Sequence, residues 1–385
     1  METRLTIQEK QRVDDLFSRI ASLIETSRAR VVTAVNVAEV YTKYEIGRYI
    51  IEDEQGGSIR AQYGKKVLKE LSEKLTRRFG DGWSVDTLEK CRKFYYIYMI
   101  SATPSRKLAT DTSFDISETV LRKLQSTDTE ETASNIDTIS APRFILSWSH
   151  YIVLMRVTNP EARSFYEIEC AQQQWSVRQL SRQVGSSLYE RLALSRGKDE
   201  VMRLAQEGQT VEKPADIIKD PITLEFLGLK PDVAYSESKL ENALIGKMQT
   251  FLLELGKGFL FEARQKRFSF DEQHFYVDLV FYNRLLQCYV LIDLKTGKLT
   301  HQDLGQMQMY VNFYDRHVRQ EYEKPTIGIL LCESKSDALV ELTLPKDTNI
   351  YASQYQLYLP DKETLQSKLR QWIDEFNENN PDSDE

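Results

Sequence analysis

Nitrogen and sulfur ligands are scarce in this chain: four histidines and four cysteines are spread over 385 residues, and Cys91, Cys170, Cys288 and Cys332 lie far apart with no Cys-x-x-Cys pair. Neither a disulfide framework nor a zinc cluster is indicated. No apolar run approaches the roughly 20 residues that a membrane span requires. Met1 to Gln11 is polar and lacks the core of a signal peptide. These absences predict a cytoplasmic protein with no membrane attachment. The phosphate loop of an ATP-driven motor is missing as well, since Gly57 and Gly64-Lys65-Lys66 have neither its spacing nor a Ser or Thr after the lysine. What is left, 41% hydrophobic and 28% charged residues, is the make-up of an ordinary soluble protein, and its length calls for two or three domains.

A surplus of positive charge is also absent. The net charge of -7 argues at first against a nucleic-acid partner. Its distribution matters more than its sum. Residues 60 to 107 carry 12 basic against 5 acidic residues, and residues 361 to 385 carry 3 against 8. An acidic active site and tail can therefore coexist with a basic binding surface.

The stretch that organises the chain runs from Phe275 to Lys295. Phe275 to Tyr282 and Cys288 to Lys295 are rich in aromatic and β-branched residues, too short for helices, and joined by a turn through Asn283 to Gln287. They are expected to pair as a hairpin buried on both faces. Into this apolar setting the sequence places Asp278, Asp293 and Lys295. Removing an isolated charge from water costs several kcal/mol or more unless it is paired or binds a metal. Side chains alternate along a strand, so Asp293 and Lys295 project to one face, where Asp278 of the neighbouring strand can meet them. Two carboxylates converging beside a lysine would hold a divalent cation through hard oxygen ligands, with the ammonium placed to orient or deprotonate a water. That is equipment for phosphodiester hydrolysis. The plainer alternative is a buried Asp-Lys ion pair closing a hairpin. Against it stands the next element, a helix predicted over residues 301 to 317 that sets Gln306 and Tyr310 four apart on one face.

Asp278, then Asp293-Leu294-Lys295, then Gln306-x-x-x-Tyr310 resembles the PD-(D/E)XK nuclease superfamily, the last element being similar to the QxxxY motif of its RecB-like branch. More closely, Phe251 to Phe259, Phe275 to Tyr282, Asp293-Leu-Lys295 and Gly305-Gln306-Met307 resemble the YhcG-like nucleases of bacteria. The resemblance extends through Leu146-Ser-Trp-Ser-His-Tyr151 and so covers most of the chain. One departure is Asp293, where many relatives carry Glu, a swap that the superfamily motif permits. The resemblance implies a restriction-endonuclease-like α/β/α domain at the carboxy terminus. It also implies a metal-dependent endonuclease using Mg²⁺, with Mn²⁺ as a substitute. Asp278 and Asp293 would bind the metal, Lys295 would position the water or stabilise developing charge, and Gln306 and Tyr310 would align the substrate strand or the lysine. The superfamily's helix before the active-site strands often donates a Glu, and Glu241 is the matching position. Its other reading is a capping carboxylate in the box Ser238-Lys-Leu-Glu241.

The chain is expected to be α+β and multidomain: an all-α region over 1–210, a joint over 211–232 containing Pro214, Pro221 and Pro231, and the nuclease-like domain over 233–385. Residues 6 to 54 read as one or two long amphipathic helices, and 59 to 79 as a further helix closed by Gly80. A new helix then starts beyond Ser84, a good N-cap. This helix-turn-helix pattern would put Lys90, Arg92 and Lys93 in a groove, with Lys65, Lys66, Lys69, Arg77 and Arg78 on phosphates. A solvated basic face of a helical bundle reads equally well. Residues 101 to 140, dominated by Ser, Thr and Asp, are expected to be a mobile insertion. Helices are predicted over Phe144 to Arg156 and Pro160 to Gln174, and His150 beside Trp148 reads as a packed residue. The string Trp-Ser-Val-x-x-Leu occurs at 83 to 88 and again at 175 to 180. A second helix-turn-helix, with a helix to about Leu194, would offer Arg178, Arg182 and Arg191, unless both copies are one packing solution. The apolar positions Leu240, Leu244, Met248, Phe251 and Leu255 are placed on one helix stripe, and Phe259 to Phe270 should be the first strand.

The expected partner is DNA, branched or duplex. The long helices favour a homodimer, and partner proteins of a DNA-processing system for defence or recombination fit the same reading. The rival from another class is a non-catalytic DNA-binding or assembly subunit of such a complex, built on an inactive nuclease fold.

Overall fold

The computed structural model describes residues 7–56, 61–100, 144–194, 198–230, 233–345, 348–359 and 361–379, so the insertion expected at about 101–140 lies outside the described residues. The backbone divides into two compact units, Met1–Ser181 and Arg182–Glu385. No helix among the described residues is long and apolar enough to cross a membrane.

The first unit is helical. It holds α1 (Ile7–Gly56), α2 (Ala61–Phe79), α3 (Val85–Ile100), α4 (Trp148–Leu154), α5 (Pro160–Gln172) and the start of α6 (Val177–Gly185). Its core is aromatic: Tyr44, Phe94, Tyr98, Phe144 and Tyr151 meet edge-on or tilted, with centroids 4.8 to 6.0 Å apart. Such pairs add about 0.5–1.5 kcal/mol each beyond the area they bury. Gly47 lets α1 and α3 touch, because a Cβ there would lie 2.1 Å from the Cys91 carbonyl oxygen. Gly80, at φ +84°, ends α2, and Ser84 caps α3 by accepting a hydrogen bond from the Thr87 amide at 3.2 Å. Ser176 caps α6 in the same way through Gln179 at 3.3 Å. Leu88 and Leu180 are both fully buried. The repeated string is thus the same cap and core anchor used twice.

The second unit continues through α7 (Leu188–Leu194) and α8 (Lys198–Glu207) to a three-layered α/β arrangement. The expected single helix from Trp175 to Leu194 is broken, since Ser187 adopts φ +52° between α6 and α7. A six-stranded sheet runs in the order β1-β6-β5-β4-β3-β2. Its strands are β1 (Ile222–Thr223), β2 (Phe259–Phe270), β3 (Gln273–Asn283), β4 (Cys288–Lys298), β5 (Ile327–Ser334) and β6 (Ile350–Gln356). β2, β3 and β4 are antiparallel, while β4, β5, β6 and β1 are parallel. One face packs on α9 (Glu237–Gly246) and α10 (Met248–Leu255), through Leu240, Leu244 and Phe251 against Phe281, Ile292 and Ile329. The other packs on α11 (His301–His317), through Leu304, Met307 and Val311 against Val280, Leu291 and Leu330. The chain closes with α12 (Asp337–Thr343) and α13 (Lys362–Asn379).

Two local expectations are corrected. The stripe from Leu240 to Leu255 belongs to two helices, because Lys247 leaves the helical region at φ -125°, ψ 27°. The cap of α9 is Ser236, whose hydroxyl accepts from the Lys239 amide at 3.3 Å. Glu241 is therefore a full turn inside the helix, beyond reach of a capping role, and is buried.

Candidate active site

β3 and β4 pair as far as Leu279 and Ile292 and then part. Just past that point, where the ladder would have placed Asp278 opposite Asp293, side chains replace backbone bonding. Asp278 Oδ2 accepts a hydrogen bond from the Leu294 amide at 2.8 Å, tying the separated strands through a carboxylate. β4 stays paired to β5 on its far side, Asp293 opposite Leu330 and Lys295 opposite Cys332. The acid and the amine therefore ride on a rigid central strand.

Asp293 is 3% exposed, and its Oδ2 sits 2.9 Å from Lys295 Nζ. Burial, then the neighbouring Asp278, push the Asp293 carboxyl above the ordinary carboxylate range, and Lys295 only partly opposes them. Burial would lower the Lys295 ammonium, but Asp293, then Glu237 and Asp303, hold it above its usual value. The latter two lie 3.8 and 3.9 Å from Nζ. Lys295 is thus a cation at neutral pH in this arrangement. Asp303 is itself fixed by Thr300, the cap of α11, in a reciprocal capping box.

From the α11 side, Gln306 donates a side-chain hydrogen bond to the Tyr310 hydroxyl. Tyr310 is buried, and burial followed by Asp293 and Asp278 raises its phenol. From the other side comes Glu241 of α9, its Oε1 2.9 Å from Arg264 Nε. Between Glu241 and Asp278 lies Gln265, whose Nε2 donates to Glu241 Oε2 at 2.9 Å and to Asp278 Oδ1 at 2.8 Å. Gln265 takes φ +46° within β2, a strained conformation for a residue with a side chain, which turns its amide inward.

The structure thus brings together Asp278, Asp293, Lys295, Gln306, Tyr310 and Glu241, the residues expected to act on substrate or metal. Among the described residues, no three acids, cysteines or histidines close into a ready-made metal cluster; the Gln265 amide fills the gap that would join Glu241 to Asp278. The donors present do suit a divalent cation. They are carboxylate oxygens: Asp293 is buried, with the half-buried Asp278 as its neighbouring acid and the Lys295 ammonium at 2.9 Å as its cation partner. Gln265, Glu237 and Asp303 were not foreseen. Gln265 sits in the polar run Arg264-Gln265-Lys266-Arg267, where no spacing rule separates it from its neighbours.

The basic residues proposed for DNA divide. In the first unit, Lys93, Arg178, Lys66, Lys69, Arg77 and Arg78 are exposed. Lys90 pairs with Asp86 at 2.6 Å and Arg92 with Glu54 at 2.8 Å, both on the surface. Arg182 and Arg191 are corrected. Arg182 binds Glu225 at 3.0 Å and Glu254 at 3.1 Å, and Arg191 binds Glu254 at 2.6 Å with a fully buried side chain. Their charges are already neutralised inside the fold. His150 is held at both ring nitrogens, by Ser147 Oγ at 2.7 Å and the Trp175 carbonyl at 2.9 Å, as a packed histidine should be.

Two family models match the chain: the DUF1016 N-terminal domain over residues 19–191 and the YhcG PDDEXK nuclease domain over 215–370. The protein named "Putative nuclease YhcG" of Escherichia coli (strain K12) is 40% identical over 354 residues, which cover 91% of this chain and 92% of that one. Among solved structures, a repair endonuclease from Pyrococcus abyssi aligns over 34% of this chain and 50% of its own, at 21% identity and a TM-score of 0.24. The structure titled "EndoMS-dsDNA2 complex" aligns over 34% and 48%, at 20% identity and the same score. The chain spans about half the length of these two, and a likeness at that score carries no argument.

Proposed function

The chain belongs to the YhcG family, whose carboxy-terminal half is a PDDEXK nuclease domain, and from that premise we propose that it is a divalent-metal-dependent endonuclease hydrolysing phosphodiester bonds in DNA. The observation that carries this reading is the parting of β3 and β4 at Leu279 and Ile292, which turns Asp278 and Asp293 toward one another beside Lys295.

Asp278 and Asp293 are the residues that would hold Mg²⁺, or Mn²⁺ in its place, with Glu241 completing the oxygen set. When bound, such an ion polarises a phosphate oxygen and lowers the pKa of a coordinated water. Gln265, bonded to both Glu241 and Asp278, would have to release these carboxylates for them to serve as ligands. Lys295, kept protonated by Asp293, Glu237 and Asp303, offers a compact positive charge to the phosphate, stabilising the charge that builds on its oxygens. Gln306 and the buried Tyr310, bonded to one another, fix the wall against which the substrate strand lies. In the amino-terminal unit, the exposed basic residues Lys93, Arg178, Arg77 and Arg78 supply the sequence-independent attraction to phosphates. Paired cuts on opposite strands would use two copies of the chain.

The test is cleavage of circular, linear, branched and single-stranded DNA, and of RNA, across a titration of Mg²⁺ and Mn²⁺. Asp293→Ala is expected to abolish cleavage and leave DNA binding in place, and Asp278→Asn to do the same. Cleavage unchanged by Asp293→Ala removes the mechanism. DNA binding by the native chain with no cleavage under either metal favours the rival reading, a binding subunit on an inactive nuclease fold.

A further inference from the structure

The amino-terminal half of α1 is a helix with nothing packed on it among the described residues. From Val13 to Arg28 every residue is exposed except Ala21, which is half-buried. A solvated helix should be polar on all sides, yet Val13, Phe17, Ile20, Ile24 and Val31 recur at spacings of four, three, four and seven along a single face. Phe17 is 70% and Val31 63% exposed. Leu16 and Leu23 widen the stripe on one flank. Bare apolar surface of this extent on a soluble protein marks an interaction site.

The charges beside the stripe say what covers it. Asp14 flanks its start and Arg28 flanks its end on the same side, while Asp15, Arg19 and Glu25 lie toward the opposite side of the helix. A two-fold axis at the level of Ser22, crossing the helix at right angles, exchanges these ends. It sets Asp14 of one copy beside Arg28 of the other, since both lie on the same flank of the stripe. The same operation lays Val13 over Val31, Phe17 over Ser27 and Ile20 over Ile24, so apolar positions meet apolar or small ones throughout. A parallel pairing would instead stack Asp14 on Asp14 and Arg28 on Arg28, like charge on like. Removing this stripe from water in both copies buries on the order of 1,000 Å² or somewhat more, the lower end of what a specific interface uses.

We propose that the amino-terminal half of α1 is a self-association surface, on which a second copy of this chain docks its own α1 antiparallel, centred near Ser22. The proposal stands independently of the nuclease reading, since it draws on no residue of the active site.

The full-length chain tests it. Light scattering is expected to give twice the 44.8 kDa of one chain at high concentration. The double variant Phe17→Lys, Ile20→Lys is expected to be a monomer with unchanged helical circular dichroism. Direction is read by cysteine linking, which the native cysteines do not disturb because all four are buried. Val13 and Val31 are about 27 Å apart along the helix at 1.5 Å per residue. Chains carrying Val13→Cys or Val31→Cys, refolded as a mixture and oxidised, are expected to link to one another, while neither links to itself. Self-linking at Val13→Cys with no mixed product means a parallel pair and overturns the proposal. A monomer at every concentration, or a dimer untouched by the double lysine variant, overturns it equally.

Discussion

Replacing Glu254 should loosen the second unit by several kcal/mol, and the loss should fade with acid in a window that the structure fixes. Glu254 is fully buried on α10. Its Oε1 accepts from Arg191 at 2.6 Å and from the Thr223 amide at 3.1 Å, its Oε2 from Arg182 at 3.1 Å, and its backbone carbonyl from Lys219. Burial is the largest single influence and would raise its carboxyl, but Arg191, Lys219 and Arg182 together bring it down to about 2, from an ordinary 4.5. At about 1.4 kcal/mol per pH unit, that difference represents roughly 3 kcal/mol. The size agrees with the roughly 3–5 kcal/mol that follows removal of one partner from a buried ion pair.

Because the folded-state value is depressed, the contribution is complete above about pH 4.5 and disappears as the pH falls through 4.5 toward 2. Glu254→Gln leaves two guanidinium groups and an ammonium facing a neutral amide, and should cost about 3 kcal/mol at pH 7. The chain has two compact units, so one global melting curve would blend them. Hydrogen exchange resolved to peptides covering Ile222 to Leu224 and Phe251 to Gly256 isolates the right region. Exchange there should accelerate by about two powers of ten in the variant at pH 7, corrected for intrinsic rates. The gap between native and variant should close as the pH falls toward 2. A variant as well protected as the native chain at pH 7, or a gap that persists unchanged to pH 2, refutes the reasoning.

Three further outcomes follow from the site. Lys295→Met should lower kcat by about 10²–10³ with little change in KM, as loss of a charge that acts on the transition state does; an equal rise in KM with kcat preserved would assign Lys295 to plain substrate binding. Gln265→Ala should tighten Mn²⁺ binding about tenfold or more by calorimetry, because Glu241 and Asp278 would then be free to serve as ligands without first losing two hydrogen bonds to charged groups; unchanged or weaker binding would remove the placeholder reading of Gln265. Lys93→Glu and Arg178→Glu should each weaken binding to all DNA sequences alike and reduce the salt dependence by about one counterion or more; no effect from either would remove both exposed positions from the interface.

The strands and the helix of the active site were legible from local pattern, since Phe259 to Phe270, the turn through Gln287 and the helix from residue 301 to 317 form where alternation, turn residues and apolar spacing put them. What sequence hid was long-range pairing. Arg182 and Lys93 are alike as basic residues on helices, yet one is clamped by Glu225 and Glu254, more than 40 positions away, and the other meets solvent. Ser238 to Glu241 has the letters of a capping box, but the helix begins two residues earlier at Ser236, which frees Glu241 to turn inward. Gln265 could not be read because its role comes from a positive φ in mid-strand, a choice imposed by its neighbours and not by glutamine.

Two buried acids of the second unit show how the same physics separates scaffold from site. Both Glu254 and Asp293 lose their water, and both face positive groups. Glu254 meets three cations and falls to about 2, so nothing further is drawn to it. Asp293 meets one ammonium, which Glu237 and Asp303 also claim, and a second acid in Asp278; its carboxyl rises. A fold that needed only stability would have balanced Asp293 as fully as Glu254, with arginines of its own. On the proposed reading, the shortfall of positive charge at Asp278 and Asp293, with the Gln265 amide spanning toward Glu241, is where an external cation would be admitted.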